Sequence, residues 1–140
     1  MARLFGVRLA TALAVAPLAA SAADPALGRS EFMANCAQCH GVDGKGDGII
    51  AGYLTTAPSD LTGLARANGG ALPRDALYAT IAGGTEPGMH GTREMPAWGD
   101  RYSVEAAQAM GFTYTPAEQA AFIHRRIIAL LDYLATIQEP

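Results

Sequence analysis

Two cysteines and a histidine form the stretch with the clearest chemistry: Cys36 and Cys39 are separated by two residues, and His40 follows directly. The pattern C-x-x-C-H is the attachment sequence of a c-type haem. On one helical turn, two thiols at this spacing can add to the two vinyl groups of one porphyrin, and the histidine can ligate the iron. The stretch therefore predicts one haem c, covalently bound through Cys36 and Cys39, with His40 as an axial ligand.

Other chemistries of a C-x-x-C pair are a redox dithiol, half of a zinc site and a plain disulfide. A redox dithiol usually lies near a βαβ pattern, and the sequence has no convincing strand. A structural zinc site would need a second ligand pair, whereas the chain has two cysteines. A disulfide between Cys36 and Cys39 would leave His40 without a role, so the haem interpretation explains the most.

The N-terminal segment has the features of an export signal. Arg3 and Arg8 precede an uncharged run rich in Ala, Leu and Val at 9–20, and residues 20–22 read A-S-A, a cleavage sequence. We expect residues 1–22 to be a removed signal peptide and residues 23–140 to form one monohaem domain in the periplasm. The apolar run is shorter than the ~20 residues that span a bilayer, so an uncleaved membrane anchor is the less favoured alternative. No other stretch is apolar enough to span a membrane, so no transmembrane segment is expected after signal removal.

The charge of the expected mature chain is acidic. Without Arg3 and Arg8, eight basic residues stand against thirteen acidic ones, which gives a net charge of −5. This balance argues against nucleic acid or an anionic membrane surface as the partner and favours a protein with a basic docking patch.

Helix signals divide the rest of the chain into helices and glycine- or proline-rich loops. Asp24 before Pro25 is a helix start, and Thr115 with Glu118 forms a capping box. No segment alternates as a strand does, so we expect an all-α fold. Helices are predicted at about 25–39, 72–81, 103–110 and 116–137, with a short helical segment after Pro58. The last helix is expected to bury Ala120, Ile123, Ile127, Leu130, Leu134 and Ile137, and to expose Arg125, Arg126 and Asp132.

Glycines mark two places where the backbone is expected to pass close to another group. Residues 41–52 hold five glycines in twelve positions, without the spacing of a phosphate loop or a calcium loop. Gly28 lies inside the first predicted helix, where glycine costs about 1 kcal/mol relative to alanine, so a packing reason is expected.

A haem ligated by His40 needs a ligand on its other face. The candidates are Met89, His90, Met95, Met110 and His124. Met110 and His124 lie on predicted helices, where ordinary core or surface roles are expected. The other three share the irregular segment 84–99. Met95 is followed by Pro96, which restricts the backbone and would present a side chain rigidly.

The C-A-Q-C-H-G run at 36–41 and the M-P-A-W-G run at 95–99 resemble the class I c-type cytochromes of the bacterial periplasmic monohaem type. The resemblance covers almost the whole mature chain. Gly28 and Phe32 match the N-terminal helix of the family, and Tyr133 matches its C-terminal helix; these two helices cross closely. The resemblance implies a small cytochrome c fold, with three to five helices wrapped around one covalently bound haem.

The resemblance also implies roles for individual residues. Met95 would be the sixth iron ligand, the Pro58 carbonyl would hold the N–H of His40, and Trp98 would lie beside the haem edge. One departure from the family pattern is residues 100–114, which are inserted before the last helix. They are expected to add surface, as a docking element or a cover over the haem propionates, or to be neutral.

With His40 and Met95 on the iron, the remaining chemistry is one-electron transfer at the haem edge rather than catalysis by the chain alone. The expected function is a periplasmic one-electron carrier whose redox partners are a dehydrogenase, an oxidase or a membrane electron-transport complex. The alternative is the electron-accepting cytochrome subunit of a periplasmic dehydrogenase complex. If Met95 dissociated or His90 replaced it, gas binding or peroxidase chemistry would become possible.

Overall fold

The computed structural model describes residues 24–83 and 98–140, and the regular structure in these two ranges is entirely helical. The helices are α1 (Pro25–Asn35), α2 (Ala37–His40), α3 (Leu64–Ala67), α4 (Arg74–Ala82), α5 (Trp98–Met110) and α6 (Pro116–Thr136), with 3-10 turns at Ala51–Tyr53 and Gly111–Thr113. The all-α prediction is confirmed. The described residues contain six helices rather than three to five, because α2 and α3 are separate helices of four residues each.

The first predicted helix begins where expected but is divided. The Asp24 side chain accepts a hydrogen bond from the Leu27 N–H at 3.0 Å, and Pro25 occupies the first helical position. α1 then ends at Asn35, and the chain restarts at Ala37 as α2. Cys36 lies at this junction, as the C-cap of α1 and the N-cap of α2, whereas Cys39 lies within α2. The helix predicted to be continuous is therefore interrupted at the first cysteine.

α1 and α6 cross at Gly28. A Cβ at this position would lie 1.9 Å from the carbonyl oxygen of Ala129 and 2.8 Å from the Cβ of Tyr133. Only glycine therefore allows the two backbones to approach this closely. One turn later, the buried Phe32 ring lies 5.2 Å from the Tyr133 ring between centroids. The expected close contact at Gly28 is confirmed.

α5 is longer and more deeply packed than the sequence indicated. It begins at Trp98, within the stretch predicted to be a loop, and Trp98, Tyr102 and Ala106 form a buried face at a spacing of four residues. A Cβ on Gly99 would lie 2.6 Å from the carbonyl oxygen of Ala82, so the start of α5 packs on the end of α4. Residues 100–114 are not a neutral addition, because Tyr102 and Ala106 belong to the core. The expectation that they add a docking element or a cover over the haem propionates stays a prediction.

α6 carries the predicted capping box and most of the predicted apolar face. Ile127, Leu130 and Leu134 are buried, together with Ala129 and Leu131. Ile123 and Ile137 are half-buried, whereas Ala120 is exposed. These residues pack against α1, α4 and α5 and form the centre of the domain.

The polar face of α6 is not simply solvated. Arg125 is exposed as predicted. Asp132 instead accepts a 2.6 Å hydrogen bond from Arg74 of α4, and Arg126 is paired with Glu31 of α1 and Glu105 of α5. The prediction that Arg126 and Asp132 face solvent is therefore wrong, since both connect α6 to other helices. In the two described ranges, no helix combines the length and apolarity needed to span a membrane.

The capping box gives a pH-dependent prediction. The pKa of the Glu118 carboxyl is lowered because it accepts hydrogen bonds from the Thr115 N–H at 2.7 Å and hydroxyl at 2.8 Å. A carboxyl with a lowered pKa in the folded state stabilises the fold above its ordinary pKa, and this contribution is lost as the pH falls through the folded value. We expect Glu118→Gln to lower the Tm at about pH 7 and to leave it nearly unchanged at about pH 2.

Thermal melts at the two pH values check this expectation. The control is Asp43→Asn, which removes an exposed carboxyl from the loop after α2. It is expected to change the Tm little at either pH. A Glu118→Gln effect of equal size at both pH values would show that the ionised carboxylate is not what stabilises the helix start.

Candidate haem site

The C-x-x-C-H residues lie at the junction of α1 and α2, with one cysteine inside the core and two residues at its edge. Cys36 is 8% exposed, whereas Cys39 and His40 are half-buried. Both cysteines are free. Burial, and after it the negative charges of Glu31 and Cys39, raises the pKa of the Cys36 thiol to about 12. Redox-active dithiols depend on a lowered thiol pKa, so the raised pKa of Cys36 disfavours the dithiol interpretation.

His40 is oriented by a backbone carbonyl. Its Nδ1 lies 2.9 Å from the carbonyl oxygen of Ser59. A carbonyl can only accept, so Nδ1 carries the proton and Nε2 keeps the lone pair that a metal needs. Histidines that ligate metals usually donate their other ring N–H in this way. The residues present therefore fit a c-type haem, with His40 as the axial ligand and two free thiols beside it.

The acceptor for His40 is one residue away from the predicted one. Pro58 was expected to supply the carbonyl, whereas Ser59 supplies it. The Pro58 carbonyl instead faces the glycine-rich loop, where a Cβ on Gly46 would lie 2.4 Å from its oxygen. The predicted kind of contact is present, but the carbonyl of the next residue makes it.

The glycine-rich loop passes close to the C-x-x-C-H turn itself. The N–H groups of Gly46 and Gly48 donate to the carbonyls of His40 and Cys39 at 2.7 and 3.0 Å. A Cβ on Gly48 would lie 2.2 Å from the Gln38 carbonyl oxygen, and Gly46 has a φ of +85°. The loop thus satisfies the carbonyls at the end of α2 and holds the motif in place. The sequence indicated a close approach but not its partner.

The candidates for the opposite axial position are divided between described and undescribed parts of the chain. Met89, His90 and Met95 lie outside the described residues. Met110 is half-buried on α5, and the exposed His124 on α6 lies 3.3 Å from the Tyr78 hydroxyl through Nδ1. These two have the ordinary helix positions that were expected. The placement of Met95 at the iron stays a prediction.

Trp98 contributes to the core at the first residue of α5. It is buried in the same apolar core as Cys36, and the Arg101 guanidinium lies 5.4 Å from the centre of its ring. The predicted contact of Trp98 with the haem edge stays a prediction.

Sequence reasoning missed one feature of this region, a buried acidic residue. Glu31 of α1 is 5% exposed and is paired with Arg126 of α6. The signal available in the sequence was weak: a glutamate directly before the core residue Phe32, with its partner 95 positions away. Within residues 24–83 and 98–140, no three His, Cys, Asp or Glu side chains are grouped in a way that could hold a metal ion.

One of the comparisons with known proteins gives a match. The family model described as "Cytochrome C oxidase, cbb3-type, subunit III" matches residues 23–111, which is more than half of the chain. The matched region contains the C-x-x-C-H motif, Ser59, Met95 and Trp98. No match was found among curated proteins or among solved structures.

Proposed function

The chain belongs to the c-type cytochrome family described as cbb3-type cytochrome c oxidase subunit III, and we propose that it is a periplasmic one-electron carrier. In this proposal one haem c is attached through Cys36 and Cys39, and His40 and Met95 are its axial ligands. The observation that carries the proposal is the 2.9 Å contact from His40 Nδ1 to the Ser59 carbonyl, because it leaves Nε2 available for iron.

The haem supplies a one-electron Fe(II)/Fe(III) couple when bound. The chain contributes a rigid setting. The Ser59 carbonyl fixes the ring plane and the tautomer of His40, and the buried Cys36 places one attachment point inside the core. The glycine-rich loop holds the ends of this turn through backbone hydrogen bonds. We expect these contacts to keep the positions of His40 and the two cysteines nearly the same in both oxidation states, which favours fast electron exchange.

The assignment of Met95 is tested by substitution. We expect Met95→Ala to abolish the weak long-wavelength absorption band of a Met–Fe(III) bond and to allow the reduced protein to bind carbon monoxide at neutral pH. The physical reason is that alanine cannot ligate iron, so the position opposite His40 becomes open. The reduction potential is expected to fall, since Met ligation raises it. Optical spectra of the oxidised and reduced proteins measure the first two effects.

Two further variants serve as controls for this experiment. Met89→Ala and His90→Ala change the other candidates in the same segment and should keep the wild-type spectrum. An unchanged spectrum for Met95→Ala would contradict the proposal, and whichever control lost the band would identify the ligand. Reversible one-electron oxidation and reduction of the wild type, without turnover of a substrate, is the corresponding test of the carrier function.

A second candidate function is a cytochrome subunit of a larger redox enzyme. The observation that favours it is the description of the matched family as an oxidase subunit. The dehydrogenase-associated alternative belongs to the same class, and both differ from a free carrier in having a stable partner. Gel filtration of a native periplasmic extract, followed through the haem absorbance, separates them. A free carrier elutes near the size of the chain, whereas a subunit elutes with its enzyme.

A further inference from the structure

A buried carboxylate lies on the helix that leads into the haem attachment turn. Glu31 of α1 is 5% exposed, five residues before Cys36. Glutamate is seldom this buried unless it is paired, because removing its charge from water is costly. The proposed function assigns no role to Glu31, and the side chains that contact this residue indicate what its role is.

Two side chains donate hydrogen bonds to Glu31. The Asn35 Nδ2 donates to Oε2 at 3.1 Å, and the Arg126 guanidinium donates to Oε1. The buried Tyr102 phenol also senses this carboxylate: burial, and after it the charge of Glu31, raises the pKa of Tyr102.

Glu31 is the most enclosed member of an ionic cluster. Arg126 is shared with a second carboxylate, Glu105 of α5, at 3.2 Å, and its guanidinium lies 4.7 Å from the centre of the Phe122 ring. The other partner of Glu105 is Arg101, whose side chain is 55% exposed, so its charge is screened by water. Two carboxylates and two guanidinium groups form the cluster, and the charge of Glu31 is the one least screened by solvent.

The cluster lies directly beside the attachment cysteine. Asn35, which donates to Glu31 Oε2, immediately precedes Cys36, and Cys36 is buried in the same core. A fixed negative charge in such a low-dielectric setting favours a cation nearby. Oxidation adds one positive charge to a haem, so a fixed negative charge here stabilises the oxidised form.

We propose that Glu31, held by Arg126 across α1 and α6, is a redox-tuning residue that lowers the reduction potential of the haem attached at Cys36. This inference rests on the proposed function, because it concerns the potential of the same haem. The pair of Glu31 and Arg126 lies outside both the C-x-x-C-H motif and the M-P-A-W-G run at 95–99.

Glu31→Gln is the direct test, since it removes the charge and keeps the shape. The reduction potential of the haem-loaded protein, measured by spectroelectrochemical titration at about pH 7, is expected to rise. A buried unit charge near a redox centre shifts a one-electron equilibrium about tenfold. A tenfold change corresponds to about 59 mV. Glu31→Asp keeps the charge and should stay close to the wild type.

The sign of the shift separates electrostatics from structural damage. Loosening the pocket admits water or weakens the distal ligand, and both changes lower the potential. Arg126→Gln breaks the same ion pair but removes a positive charge, so it is expected to lower the potential. If Glu31→Gln fails to mature, an unchanged or raised potential in Arg126→Gln overturns the proposal. Asp132→Asn is the matched control, because it removes a carboxylate from the separate pair with Arg74, and it should shift the potential less.

The possible outcomes are distinct. A rise with Glu31→Gln and a fall with Arg126→Gln support the proposal. An unchanged or lowered potential in Glu31→Gln, or shifts of the same sign in both variants, overturns it while the wild type still shows a reversible haem couple. Failure of the proposed function would appear differently, as a wild-type protein without a c-type spectrum or without a one-electron couple.

Discussion

Replacement of His40 by alanine is expected to reduce the haem content of the exported protein at least tenfold. The variant loses the axial ligand and also the contact with Ser59 that orients the ring, so nothing remains at this position to ligate iron. Any haem that is still attached through the two cysteines should lack the low-spin spectrum. The haem absorbance per mole of chain, measured after denaturation, gives the occupancy, and the native spectrum gives the spin state.

The control for this substitution is His124→Ala. His124 is exposed on α6 and contacts the Tyr78 hydroxyl, so its loss should leave occupancy and spectrum unchanged. A His40→Ala protein with wild-type occupancy and a low-spin spectrum would contradict the site assignment. Equal losses in both variants would instead indicate a general effect on folding.

The second large effect is expected at the crossing of α1 and α6. Gly28→Ala places a Cβ 1.9 Å from the Ala129 carbonyl oxygen, which belongs to the backbone and cannot rotate away. The helices must move apart, and the packing of Phe32 against Tyr133 is then lost. We expect the free energy of unfolding to fall by about 3 kcal/mol. Denaturant unfolding of the haem-loaded protein, followed by circular dichroism, measures the loss.

Gly52→Ala is the matched control for this prediction. A Cβ at Gly52 meets nothing within 4 Å, and the residue does not have a left-handed φ. The substitution should therefore be neutral or slightly stabilising. If the two alanine variants unfolded at the same denaturant concentration, the close approach of α1 and α6 would not be a determinant of stability.

Local signals in the sequence predicted the elements that local physics controls. The caps at Asp24 and Thr115 set the starts of α1 and α6, because a side-chain acceptor and a following proline act within one turn. The C-x-x-C-H motif and Gly28 could be interpreted for a similar reason: two thiols and a histidine at this spacing suit haem attachment, and a glycine inside a helix indicates a close backbone contact. Together, these local signals predicted the helical fold and the residues Cys36, Cys39 and His40 of the candidate site.

The features that were missed depend on partners far along the chain. Arg126 and Asp132 read as a solvated face, but their partners Glu31 and Arg74 are 95 and 58 positions away. Helical periodicity cannot show which other helix covers a polar position. The early start of α5 was not predicted because its buried face has only one side chain per turn, which is too few to give a clear helical pattern. The acceptor for His40 is Ser59 rather than Pro58, a one-residue difference in the backbone path that the residue types do not encode.

The intact mass of the exported protein, expressed with a working haem-maturation system, tests the central claim most directly. We expect the mass of a chain that begins near residue 23 plus the mass of one haem, and we expect the haem to stay attached after denaturation. A chain without the attached haem would contradict this claim. A chain lighter by two hydrogens would show that Cys36 and Cys39 form a disulfide, and the haem site described here would then be wrong.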